Sequence, residues 1–251
     1  MSDRESADDP SVNQYESEEE EQTQEKIDES NFHPNRIFYI ASHYLISKSI
    51  AIHDVTDQVK MSYQGGDIED EIRDAAKKVS KEDEHEKNPK YTISKEHRFF
   101  GRSFVMKIGN DGEELAYWKH PHWAVGTAHL SFPSGSAHGS HEIDMSAPRK
   151  SSRTNQWVQD SVTYEWNCDS KWKTSRQSLY KIIGSKRTLI GKYAQTKLRM
   201  GAGGILLLDT NELDEVMGTL TICVMLRRML QREAARSNAG AAGTGGWVGA
   251  A

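Results

Sequence analysis

Five histidines fall between residues 120 and 141 (His120, His122, His129, His138 and His141), close to Glu142 and Asp144. A zinc site needs three or four ligands at fixed spacing. Neither a His-Glu-x-x-His helical turn nor a cysteine partner accompanies these histidines, so they read as loop and strand residues and no metal is expected. The stretch Pro133-Ser134-Gly135-Ser136-Ala137-His138-Gly139-Ser140-His141-Glu142 sets serine beside histidine. It lacks the Gly-x-Ser-x-Gly turn that presents a nucleophile, and polar loops of this kind commonly join strands. Gly201-Ala202-Gly203-Gly204 precedes an apolar run instead of leading from a strand into a helix, which makes it a turn and not a dinucleotide cradle. No catalytic residue and no cofactor are expected, and the chain reads as a binding module rather than an enzyme.

Charge is the stronger signal. From Arg149 to Arg199 there are twelve Lys or Arg residues (Arg149, Lys150, Arg153, Lys171, Lys173, Arg176, Lys181, Lys186, Arg187, Lys192, Lys197, Arg199) against Asp160, Glu165 and Asp169, a balance of +9. If Trp172 points inward from a strand, the period of two turns Lys171 and Lys173 to the outer wall. Such a face suits anionic phospholipid or phosphoinositide headgroups, to which each Lys or Arg near the surface contributes about 1 kcal/mol. The headgroup-binding residues expected on this ground are Lys171, Lys173, Arg176, Lys186, Arg187, Lys192, Lys197 and Arg199. The plain alternative is a set of solvated strand edges, where lysine also discourages edge pairing, in a protein-interaction scaffold with no lipid activity. Nucleic acid is disfavoured by a pI of about 6.1, by the acidic N-terminus and by the absence of zinc-finger, helix-turn-helix, RNP or KH patterns.

That N-terminus sets the domain limits. Residues 1–31 hold twelve acidic residues against Arg4 and Lys26, including Glu18-Glu19-Glu20-Glu21, and almost no aliphatic residues. Such a segment buries too little to offset its ordering entropy, so 1–35 is expected to be a disordered acidic tail. The plainer reading is a tail that only solubilises; the alternative is that a tail of −10 tethered near a +9 segment folds back and competes with anionic ligands, more so if Ser6, Ser11, Ser17 or Thr23 were phosphorylated. Residues 237–251 are Ala- and Gly-rich and read as a second flexible tail. Cys168 and Cys223 are the only cysteines, and no signal-peptide, myristoylation or prenylation pattern is present. The expected location is therefore cytoplasmic, with peripheral membrane association.

Between the tails, residues 36–236 carry the spacing of many short strands. Arg36 to Val55 is dense in β-branched and aromatic residues. Phe104, Met106 and Ile108 alternate with polar or smaller neighbours, Asn110-Asp111-Gly112 supplies turn residues, and Leu115 and Tyr117 resume the alternation. Further strands are expected at Trp123–Phe132, His141–Ser146, Val158–Cys168, Leu179–Ile183, Thr188–Gln195 and Ile205–Leu208, the clearest carrying Val162, Tyr164, Trp166 and Cys168 on one face. Ile68, Ile72, Ala75, Ala76 and Val79 fall at helical spacing among charges and predict a surface helix within 67–87. A final helix, 212–236, starts with Thr210 or Asn211 as cap, and Arg227, Arg228, Arg232 and Arg236 gather toward its end. Its stretch Val216–Leu226 is apolar or small on every side but reaches only about 16 Å, too short for a bilayer of about 30 Å, so it is expected to be buried in the core. Trp166 is expected in that core. Trp123 and Trp157, beside turns, are open to either core or interface.

Phe104-Val105-Met106-Lys107-Ile108, Glu114-Leu115-Ala116-Tyr117-Trp118, Asp160-Ser161-Val162-Thr163-Tyr164-Glu165-Trp166 and Gly203-Gly204-Ile205-Leu206-Leu207-Leu208-Asp209, the last leading into an apolar helix and arginines, resemble the tubby C-terminal-like superfamily. That superfamily includes phospholipid scramblases and LURP-one-related proteins, and the likeness is closest to its fungal members. The resemblance spans about Tyr91 to Arg236. It implies a closed antiparallel β-barrel threaded by its hydrophobic C-terminal helix, and an anionic lipid as the class of ligand. The cysteine cluster of scramblases is absent, and Asp209-Thr210-Asn211-Glu212-Leu213-Asp214 lacks the Gly and bidentate Glu of a calcium loop, so calcium-driven scrambling is not expected.

Overall fold

Strands with one apolar face must bury it, and a long run of them can do so by curling around a common filling. A computed structural model describes residues 27–43, 47–59, 63, 65–82, 87–96, 102–120, 127–139, 142–148, 154–169, 175–196 and 202–243. In chain order it contains β1 (Ile27–Asp28), β2 (Arg36–Ile40), β3 (Ser49–Asp54), α1 (Asp70–Val79), β4 (Tyr91–Glu96), β5 (Arg102–Ile108), β6 (Glu114–His120) and β7 (Thr127–Ser131). After these come β8 (Ile143–Ser146), β9 (Asn155–Gln159), β10 (Val162–Cys168), β11 (Arg176–Ile183), β12 (Lys186–Gln195), β13 (Gly204–Leu208) and α2 (Glu215–Gly243). From β2 to β12 each strand pairs antiparallel with the next, and β13 lies between β12 and β2, so twelve strands close into a barrel. β1 is an extra strand, parallel to the start of β12 through Ile27↔Arg187 and Asp28↔Thr188.

The filling is α2. Residues 216–230 are buried throughout, and Leu220, Ile222, Cys223 and Met225 join Phe38, Met106, Trp118, Trp157, Trp166 and Leu206 in one inner cluster. Gly218 lets the helix approach the wall, because a Cβ there would stand 2.5 Å from Leu208 Cδ2. Burial raises the thiol pKa of Cys223 well above its ordinary value, as befits a packing residue. No helix among the described residues is long and apolar enough to cross a membrane.

A second cluster lies outside the wall, where Tyr39, Tyr180, Leu189, Ile205 and Leu207 are covered by Phe32, Ile68 and Ala76. The strands concerned are therefore apolar on both faces, which explains the unbroken Ile205-Leu206-Leu207-Leu208 run. At the bulge between β11 and β12, Leu179 faces Gly191 and Tyr180 faces Leu189, so Ile190 is the extra residue. Its carbonyl accepts from Asp209 N at 3.0 Å, tying the bulge to the turn into α2.

Several expectations shift. Val158–Cys168 is not one strand but the β9–β10 hairpin, turned by Asp160 (φ 50) and Ser161 (φ 63). Two positive-φ residues suit the right-handed twist of a hairpin, and the Asp-Ser pair is a weaker signal for that geometry than Asn-Gly. In the β5–β6 turn the positive φ falls on Gly109 rather than on Asn110. α2 is capped by Asp214, whose Oδ1 accepts from Val216 N and Met217 N, and not by Thr210 or Asn211. It runs on to Gly243, past the expected end at Arg236. Trp157 is core, and α1 covers Asp70–Val79 of the 67–87 span, within which 83–86 lie outside the described residues. Residues 27–35 belong to the barrel rather than to a loose tail: Phe32 is buried against Tyr63, and Asn35 Oδ1 accepts from Thr210 N.

Candidate anion-binding surface

Four of the eight residues expected to bind headgroups are described. Arg176, Arg187 and Lys192 lie on the outer face of β11 and β12, Lys186 lies at the first residue of β12 on the opposite face, and each meets an acceptor of the chain itself. Arg176 pairs with Asp67. Lys186, 61 % exposed at its side chain, pairs with Asp28 of β1 at 3.2 Å. Arg187, 13 % exposed, pairs with Glu165 and stacks over the Tyr180 ring at 4.7 Å. Lys192 is only 7 % exposed as a residue; its Nζ donates to Gly66 O at 2.5 Å and lies 5.9 Å from the Tyr63 ring centroid. Burial works against the Lys192 charge, but the Tyr63 hydroxyl and nearby carboxylates outweigh it and hold the pKa above the usual lysine value. Beside it, burial raises the pKa of Asp169 despite a 2.6 Å hydrogen bond from Ser178 Oγ. Lys171, Lys173, Lys197 and Arg199, like Trp123, Trp172, His122 and residues 1–26, lie outside the described residues.

The meander brings together a different set. In an up-and-down barrel, alternate connections leave from the same end. The connections that leave from the end where α2 begins are 55–90, 109–113, 132–142, 160–161, 184–185 and 209–214, and in sequence they hold seventeen acidic residues against seven Lys or Arg, of which five acidic and three basic residues belong to 65–79, outside the wall. At the opposite end, those joining the strands are 41–48, 97–101, 121–126, 147–154, 169–175 and 196–203, and they hold nine Lys or Arg against Asp169 alone. In the sequence the two sets of connections therefore differ in charge, −10 against +8, or −8 against +8 once residues 65–79, which pack on the outside of the wall, are set aside; of the nine cations in the second set Lys48 is the one that is described.

The exposed side chains of the neighbouring strand ends are cationic, with the half-buried Glu96 among them. Lys48, Lys95 and Lys119 are exposed at the ends of β3, β4 and β6. From within the barrel, Arg227 stacks 5.2 Å from the Phe104 ring, and Arg228, 3 % exposed, donates to Asn155 Oδ1 and to Met145 O at 3.4 Å. Desolvation, with Arg232 nearby, brings the Arg228 pKa down to about 10. Counting charge along the sequence missed Lys48, Lys95, Lys119 and the helix arginines. Counting it over every second connection finds the pattern, once a meander is assumed.

Two histidines have carboxylate partners: His129 Nδ1 meets Asp144 across β7 and β8, and His138 Nδ1 meets the capping Asp214 at 3.0 Å. Among the described residues no group of three His, Cys, Asp or Glu side chains converges as a metal would need.

No family model matches this chain, and neither the curated proteins nor the solved structures searched contain a match.

Proposed function

We propose that this protein is a non-enzymatic module that binds anionic phospholipid or phosphoinositide headgroups at the periphery of a membrane, as the resemblance to the tubby C-terminal-like superfamily implies. What carries the reading is the charge contrast in sequence between the two sets of connections, +8 against −8 with residues 65–79 set aside, together with the exposed Lys48, Lys95 and Lys119 at the end of the cationic set. A body with one strongly cationic end is drawn to a negative surface and oriented on approach, because the opposite end is repelled. This transfers the binding surface from the wall of β11 and β12, where the described cations are already partnered, to the end that bears Lys48, Lys95 and Lys119.

Flotation with phosphatidylcholine vesicles, with and without phosphatidylserine, at low and physiological salt tests the reading. Binding should need the anionic lipid and fall steeply with salt. Replacing Lys48, Lys95 and Lys119 by Glu should weaken it at least about 100-fold, since each lysine near the surface contributes about 1 kcal/mol, while Lys186→Glu, at the β11–β12 turn of the opposite end, should change it little. Indifference to phosphatidylserine at both salt concentrations would leave a protein-interaction scaffold as the better reading.

A further inference from the structure

The connection between β3 and β4 belongs to the acidic end, yet it does not stay there. Its described part, residues 65–79, climbs the outside of the wall toward the cationic end. Asp67 reaches Arg176 at the start of β11, Gly66 O takes the ammonium of Lys192, and Arg73 Nη1 donates to Gln195 O, at the last residue of β12, at 3.0 Å. Beneath it lies the outer apolar cluster of Tyr39, Tyr180, Ile205 and Leu207, sealed by Ile68 and Ala76. Its outward surface is acidic, with Glu69, Asp70, Glu71 and Asp74 all exposed.

We propose that residues 65–79 form a displaceable acidic strap, which covers two cations and an apolar face of the wall and is released when an anionic membrane surface competes for them. The inference rests on the lipid-binding reading and adds its regulation. Three features make the strap the part that yields. α1 has ten residues, below the roughly 12–15 at which isolated helices persist in water, so it is helical only while docked. No side chain caps its N-terminus. Its clasp to Arg176 is an exposed ion pair, with Asp67 58 % accessible at its side chain, and is open to competition by lipid phosphates and by salt. What release uncovers is chemically matched to a bilayer interface: two cations at the border of an apolar patch that includes two tyrosines.

Hydrogen exchange on the full chain, with phosphatidylcholine vesicles that contain or lack phosphatidylserine, tests this beside flotation of the wild type, Asp67→Ala and Ala76→Glu. Phosphatidylserine vesicles should speed exchange of the 70–79 amides by about tenfold or more while β12 stays protected. Both variants should float more readily than the wild type, Ala76→Glu by expelling the helix and Asp67→Ala by freeing Arg176 without touching the core. Flotation of a variant but not of the wild type also supports the strap. If the wild type binds phosphatidylserine vesicles with unchanged exchange over 70–79 and neither variant binds more tightly, the strap is refuted and the lipid reading survives. If no form binds, both fall.

Discussion

The indole Nε1 of Trp166, on the inner face of β10, donates a 3.0 Å hydrogen bond to Thr221 Oγ1 in the middle of α2. Thr221 in turn donates to Met217 O at 2.8 Å, so its hydroxyl is used in both directions inside an apolar core. This is a polar tie between wall and helix, and it fixes the rotation of a helix whose apolar surface alone would allow several. Thr221→Val keeps the shape but leaves the indole N–H unanswered. Its expected cost is about 1–3 kcal/mol in urea unfolding, the price of an unmade buried hydrogen bond. A loss below a few tenths would mean that the helix is set by packing alone.

The helix should be indispensable to the barrel. Leu220 is buried against the inner wall, and Leu220→Asp buries a charge with no partner, expected to cost more than about 3 kcal/mol and to abolish folding. A chain ended after Asp209 should likewise lack a cooperative thermal transition, because twelve inward-facing strands would enclose nothing. A sharp transition in that truncated chain would show that the wall collapses on itself.

The turn into β13 yields a pair of opposite expectations. A Cβ on Gly204 would press on the Tyr193 hydroxyl and stand 2.7 Å from the Ala194 carbonyl, so Gly204→Ala should destabilise by about 1–3 kcal/mol through overpacking. The backbone carbonyl cannot swing away, and the cost should persist in a Tyr193→Phe background. Tyr193→Phe by itself should be neutral or stabilising, because the buried Tyr193 hydroxyl meets no hydrogen-bond partner among the described residues. Calorimetry on the two single variants and the double variant reads all three outcomes.

What could be read in advance divides along physical lines. Strand alternation, the Gly203-Gly204 turn and the all-round apolarity of Val216–Leu226 are local properties, and they led to a barrel with a helix inside it. The outer cluster was not visible, because Ile205 and Leu207 face a strap some 130 residues earlier in the sequence, at Ile68 and Ala76. The partners of the described basic residues were hidden for a related reason. Arg176, Arg187 and Lys192 are close in sequence to other cations, but in space each sits beside an acceptor from a distant element: Asp67, Glu165 and Gly66. Charge summed along a segment says nothing of such partners. The charge contrast between the two sets of connections, by contrast, needed only the rule that alternate connections share an end.

At the acidic end, stability should depend on pH through Asp54. Its carboxylate accepts from Thr56 N at 3.1 Å and from Lys90 Nζ at 3.0 Å, and Thr56 Oγ1 also donates to it. Lys90 bridges onward to Glu215 at the start of α2, at 2.8 Å, and Glu215 accepts from the Tyr91 hydroxyl at 2.5 Å. Burial pushes the Asp54 pKa up, but the Thr56 and Lys90 hydrogen bonds outweigh it and the value in the folded protein lies below the ordinary one. The unfolded chain therefore binds the Asp54 proton at higher pH than the folded barrel does. The stabilisation is complete above the unfolded value of about 3.9 and is lost as pH falls through the lower folded value. Asp54→Asn should be less stable than the wild type at neutral pH, and the difference should shrink below about pH 4 as the wild type is itself protonated. Urea midpoints for both proteins from neutral pH down into that range decide it: parallel curves throughout would mean that the acid loss originates elsewhere in the barrel.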